Sequence, residues 1–90
     1  MYLHLGQDIV VKLTDVVGIF DLDTSTISKT TRQFLTEKEK QGKVVTVSTE
    51  LPKSFVLCAE NGQEILYISQ ISSSTLQKRA GYLEGIANAR

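Results

Sequence analysis

Few side chains in this sequence can exchange a proton, act as a nucleophile or bind a metal. Histidine occurs once, at His4, and cysteine once, at Cys58. His4 alternates with Leu3 and Leu5 in a strand-like run, the setting of a structural or surface imidazole rather than a general base. Cys58 sits among Val56, Leu57 and Ala59 with no cation nearby. A thiolate nucleophile needs local positive charge, so Cys58 reads as a small buried hydrophobe. Asp21-Leu22-Asp23 places two carboxylates on one side of an extended segment, and such a pair can bind a divalent ion. No further ligands follow at loop spacing, and turn or cap positions account for the pair better. Gly6, Gly18, Gly42 and Gly62 are scattered and form no phosphate cradle. No catalytic residue, metal site or cofactor is expected, and the chain reads as a non-enzyme.

The remaining chemistry is recognition. Lys29 and Arg32 stand near a helix start, Lys43 and Lys53 flank a strand and its following loop, and Lys78-Arg79 lies in the last helix. Thr26, Ser28, Thr30 and Thr31 add hydroxyls of the kind that donate to phosphates. Against nucleic acid as the default partner stand a net charge of zero, no helix-turn-helix pattern and no aromatic series for stacking on single strands. The charge is segregated, however. Residues 1–23 set Lys12 against Asp8, Asp15, Asp21 and Asp23, a net of −3. Residues 29–53 set six basic residues against three glutamates, a net of +3. Such a chain can present a basic face or pair head to tail with itself. In an oligomer, a weak basic patch repeats in every copy and the contacts sum.

These residues must be positioned by a small scaffold. Ninety residues with 41% hydrophobic and 22% charged content fit one soluble domain, expected over 1–82 with a tail at 83–90 that frays. No apolar run approaches the ~18 residues of a membrane span, and the start lacks the basic and apolar regions of a secretory signal. A cytoplasmic location and no membrane partner are expected.

The periodicities predict an α+β fold, a small mostly antiparallel sheet domain with about six strands and two helices. Tyr2–Leu5 is a strand with Leu3 and Leu5 inward, turning at Gly6-Gln7-Asp8 into Ile9-Val10-Val11. Leu13-Thr14-Asp15 interrupts, and Val16–Phe20 is a second β-rich run. Its nearly continuous apolar character predicts burial on both faces or a subunit contact, with Gly18 marking a bulge or a close backbone approach. Asp23-Thr24-Ser25-Thr26 is rich in cap residues and opens a helix to about Gln41, with Ile27, Thr31, Phe34, Leu35 and Lys38 along its inner stripe. Gly42 ends it in the left-handed conformation. Lys43–Ser48 is a strand, and Pro52 halts the ladder before Ser54. Ser54–Ala59 and Glu64–Ser69 form a hairpin around Asn61-Gly62, whose two residues accept the positive φ values of a tight turn. Ser72 or Ser73 caps a last helix with Leu76, Ala80 and Leu83 on one stripe and Gly81 and Gly85 weakening it.

Several segments in order carry a family resemblance. They are Leu3-His4-Leu5-Gly6, Val17-Gly18-Ile19-Phe20-Asp21, Ser28-Lys29-Thr30-Thr31-Arg32 and Gln41-Gly42-Lys43-Val44-Val45, followed by Glu50-Leu51-Pro52-Lys53-Ser54-Phe55-Val56 and Tyr67–Arg79. The series resembles the RemA/RemB family of small bacterial biofilm-matrix regulators over about residues 1–80, nearer its RemB branch. The resemblance implies a cytoplasmic transcriptional regulator of extracellular-matrix genes that acts as a DNA-binding homo-oligomer, in the RemA branch a closed ring with DNA along its rim. That branch has arginines after the early strands and in the loop before the hairpin. Asp15, and Leu51 with Pro52, stand there instead, and only Lys53 keeps a positive charge.

Two functions follow. One is a DNA-binding regulator whose basic surface is Lys29, Arg32, Lys43 and Lys53. The other is an oligomeric protein-interaction module of the same fold that has lost direct DNA binding and works through a protein partner such as a related regulator. In both, Val16, Val17, Ile19, Phe20 and Phe55 are the candidate subunit interface.

Overall fold

The computed structural model describes residues 1–22 and 28–81. The expected cap segment at 23–26, Ile27, Leu83, Gly85 and the tail at 83–90 lie outside those residues.

Strands β1 (Tyr2–Gly6) and β2 (Ile9–Lys12) form an antiparallel hairpin. A single 3-10 turn at Leu13–Asp15 leads into β3 (Val16–Asp21). Helix α1 (Lys29–Lys40) follows, then β4 (Val44–Thr46), β5 (Ser54–Glu60), β6 (Gln63–Ser69) and helix α2 (Ser73–Arg79). The larger sheet has strand order β3-β5-β6-β4, antiparallel except for the parallel β4–β6 pair. The α+β class and the mostly antiparallel pairing therefore stand as read, with six strands and two α-helices among the described residues.

The sheet is the middle of three layers because its strands are apolar on both faces. On one face Ile19, Val56, Cys58 and Tyr67 pack with Leu3, Leu5 and Val11 of the small hairpin and with Leu76 of α2. On the other, α1 lays Thr31, Phe34 and Leu35 against Phe20, Phe55, Leu57, Leu66 and Ile68. Lys38 completes that stripe: it is buried, its Nζ lies 2.9 Å from Glu64 Oε1 of β6, and it sits 5.6 Å from the centre of the Phe34 ring. Burying its alkyl stem while pairing its charge fastens the end of α1 to the sheet.

Two buried hydroxyls join the layers. Ser69 Oγ donates to Leu5 O at 2.7 Å and accepts from Ile71 N at 3.0 Å, while Ser54 Oγ donates to Ile71 O at 2.7 Å. Ser69→Ala leaves a buried carbonyl and an amide without this partner. It is expected to lower unfolding free energy by about 1–3 kcal/mol, read by urea denaturation; a loss below 0.5 kcal/mol would remove the clip from the account.

The β5–β6 hairpin is central as predicted, paired from Ser54↔Ser69 to Glu60↔Gln63. Asn61 and Gly62 have φ of 51° and 80°, the two positive values of a type I′ turn. Ser72 Oγ accepts from Thr75 N and caps α2. Gly42, φ 70°, ends α1 with paired bonds from Gly42 N to Glu39 O and from Lys43 N to Lys38 O.

Four expectations are corrected. Helix α1 starts at Lys29, because Ser28 takes an extended φ/ψ and its Oγ accepts from Thr31 N. Strand β4 spans three residues rather than six, since its ladder to β6 ends where Val47 N bonds Ile68 O. Gly81 does not weaken α2 from inside but ends it, with φ 71° and its N–H on Lys78 O. Finally, of the two readings of Val16–Phe20, burial on both faces fails and the subunit contact stays open: β3 is an edge strand, with Val17 57% and Phe20 39% exposed.

Candidate functional site

Helix α1 gathers the basic residues that its sequence spacing allows. Lys29, Arg32 and Lys40 are separated by three and eight residues, so all three project within about 80° on the outer face. All are exposed, and with Gln33, Thr36 and one acidic residue, Glu37, they border one open depression. The stripe is about 16 Å long at 1.5 Å per residue. Lys38 turns inward to Glu64 and does not belong to it. Lys40 escaped the sequence reading as a site residue. Its signal was the eleven-residue interval from Lys29, three full turns.

The other two candidate cations stand apart from each other, and Lys43 directly follows the end of α1, with its N–H on Lys38 O. Lys43 precedes β4, level with Ile65 of β6, whereas Lys53 precedes Ser54, which pairs with Ser69. Five residues of strand, about 17 Å, separate those levels, so Lys43 and Lys53 occupy opposite ends of the sheet. Arg79 donates from its guanidinium to His4 O at 3.2 Å and ties α2 to β1. Leu51 is 80% exposed. Asp15 is half-buried beside Tyr2, Glu60 and Tyr67 in a polar cleft at the other end.

The candidate interface residues divide by exposure. Ile19 and Phe55 are buried within the chain itself, and Val16 packs against the core. Val17 and Phe20 are open. The bulge is where it was expected: Val16 pairs with Cys58 and Gly18 with Leu57, leaving Val17 extra. A Cβ on Gly18 would lie 2.6 Å from the Phe20 ring. Gly18 therefore lets Phe20 fold back along the strand and stack on Phe55, with ring centres 5.0 Å apart. Phe20, Phe34, Phe55 and Leu57 line an open apolar groove of about 310 Å³ next to the free edge of β3.

The isolated nucleophile and base candidates are not brought together. His4 faces outward and its Nε2 contacts Gln7 O at 2.7 Å, whereas Cys58 is fully buried on the core face of β5. Burial, with smaller contributions from the Glu60 and Asp15 carboxylates, pushes the Cys58 thiol up to about 12. It is a protonated core group at neutral pH. Tyr67 is likewise raised, first by burial and then by donating its hydroxyl to Glu60 Oε2 at 2.5 Å. Among the described residues no three His, Cys, Asp or Glu side chains gather as a metal site, and no helix is long and apolar enough to cross a membrane.

No family model matches the chain. It is similar to Extracellular matrix regulatory protein B of Bacillus subtilis (strain 168), 43% identical over 83 residues that span 92% of this chain and 94% of the relative.

Proposed function

The chain belongs to the RemB-like family of extracellular matrix regulatory proteins, and on that premise we propose that it is a cytoplasmic transcriptional regulator that binds DNA as a homo-oligomer. The observation that carries this reading is the exposed Lys29–Arg32–Lys40 stripe on the outer face of α1, turned away from the sheet. Assembly through one surface leaves the other free. A stripe of about 16 Å matches about five phosphates of one strand at 3.4 Å of axial rise each. Three cations are few for one protomer, and repetition around an oligomer supplies the rest. The stripe is sequence-blind: it positions the protein on the backbone, and base choice would come from elsewhere or from DNA shape.

Retention of duplex DNA across a salt series tests this reading. Retention that falls steeply with salt supports it, because each neutralised phosphate releases counterions. A well-folded oligomer that retains no duplex at low salt would overturn it. That second outcome defines the other reading, a protein-interaction module of the same fold. It is favoured by one specific observation, the polar cleft at the other end of the sheet in which Asp15 and Glu60 stand with a single cation, Lys12.

A further inference from the structure

The basic face of α1 includes two side chains that attraction to phosphates does not explain. Gln33 and Glu37 line the same open depression as Lys29, Arg32 and Lys40, and both are exposed. At about 100° per residue they lie about 40° and 80° around the helix from Lys29, along one flank of the cationic row. Glu39 is on the opposite flank, where it borders β4 with Leu35, Val44 and Thr46. The outer face is thus a row of cations with an amide and a carboxylate along one side. We infer that Gln33 and Glu37 read base edges in the major groove, Gln33 an adenine and Glu37 a cytosine. The inference rests on the DNA-binding reading above and names the groups that choose bases, which the cationic row leaves open.

Glu37 has no local reason to be acidic. Among the described residues its carboxylate is in no ion pair. It stands in the last turn of α1, where the carbonyl end of a helix disfavours negative charge. Beside phosphates it weakens binding. Facing bases, it acts by exclusion. An ionised carboxylate only accepts hydrogen bonds. In the major groove cytosine offers its N4 amino donor, whereas guanine O6 and N7 and thymine O4 are acceptors that repel a carboxylate. A wrong base is then rejected by charge and unpaired acceptors as much as the right one is attracted.

Gln33 complements it. A side-chain amide sets a donor beside an acceptor, the match to adenine N6 and N7. Gln33 and Glu37 are four residues apart, about 6 Å along the axis, or about two base pairs at 3.4 Å each. Lys29 and Lys40 lie beyond them at the two ends of α1. With the cationic row along the phosphates of one strand, the flank carrying Gln33 and Glu37 faces the groove, whose width of about 12 Å admits a helix. Thr36, within the cationic row, adds no phosphate donor, because its hydroxyl donates to Arg32 O at 2.9 Å. The expected preference is an adenine and a cytosine about two base pairs apart.

The test is selection from a pool of duplexes with randomised bases, with retention followed across salt and circular dichroism to confirm folding. It compares the wild-type chain with Gln33→Ala, Glu37→Gln and Glu37→Ala. The wild type is expected to enrich an adenine and a cytosine at that spacing. Gln33→Ala should keep the salt slope and lose the adenine preference, about fivefold to 150-fold over a wrong base. Glu37→Gln should exchange the cytosine preference for adenine. Glu37→Ala should lose base preference there while retaining total duplex more tightly, since a repulsion is gone. Folded variants that all keep the wild-type preferences overturn the inference but not the DNA-binding reading. So does a wild type that retains duplex with no base preference. A wild-type chain that retains no duplex at low salt overturns both.

Discussion

A Val17→Lys chain is expected to run as a single 10.0 kDa protomer with an unchanged fold. Val17 is the extra residue of the β3 bulge and is 57% exposed, so its removal empties no core site. Surface changes of this kind usually alter stability by less than about 0.5 kcal/mol. Lysine on an open edge is also one of the devices by which natural sheets prevent edge pairing. At a subunit contact the same change brings a hydrated ammonium where the neighbouring strand must seat. A residue at the centre of an interface costs about 2 kcal/mol or more when lost, about thirtyfold in dissociation constant per contact. Sedimentation velocity over a concentration series checks this. An assembled particle that tolerates Val17→Lys would place the interface away from β3. Phe20 is the less clean probe, because its ring also stacks on Phe55 and its loss disturbs the chain's own packing.

The second large effect belongs to α1. Neutralising Lys29, Arg32 and Lys40 together to glutamine should abolish duplex retention at physiological salt while leaving particle mass intact. Each phosphate contact contributes about one unit to the slope of log affinity against log salt, so the triple change should remove about three units for every copy engaged. Glutamine preserves helix propensity, and all three positions are exposed. Neutralising Lys53, at the end of the sheet opposite Lys43, should change retention less. An unchanged slope in the triple variant would move the DNA surface off α1.

Local rules made much of this fold legible from sequence. Asn61-Gly62 and the alternation of Phe55, Leu57 and Ala59 with Val56 and Cys58 located the central hairpin, one residue short on each strand at the turn. Ser72, Gly42 and Gly18 each announced a cap, a helix end and a bulge through chemistry that acts within a few residues. The parts that escaped depend on long-range pairing. Nothing near Val44–Thr46 says that it joins β6 in parallel across a crossover, and that pairing is what leaves β3 and β4 as the two edges. The apolar run Val16–Phe20 implied burial, but an edge strand meets that demand only in part, leaving Val17 and Phe20 open. α1 starts at Lys29 because Ser28 holds the extended geometry and its Oγ accepts from Thr31 N. For the site, Lys29 and Arg32 were legible as neighbours on one turn. Lys40 needed the full length of the helix, and the separation of Lys43 from Lys53 needed the strand register.

Assembly and DNA binding are expected to be properties of one particle with two separate surfaces. Sedimentation of the wild-type chain with a fluorescent duplex tests that directly. At low salt, protein and duplex are expected to sediment together as a particle heavier than either. At high salt the duplex should be released while the protein still sediments as a multiple of 10.0 kDa. A protein that sediments at 10.0 kDa in both conditions, or an oligomer that leaves the duplex behind at low salt, would contradict it.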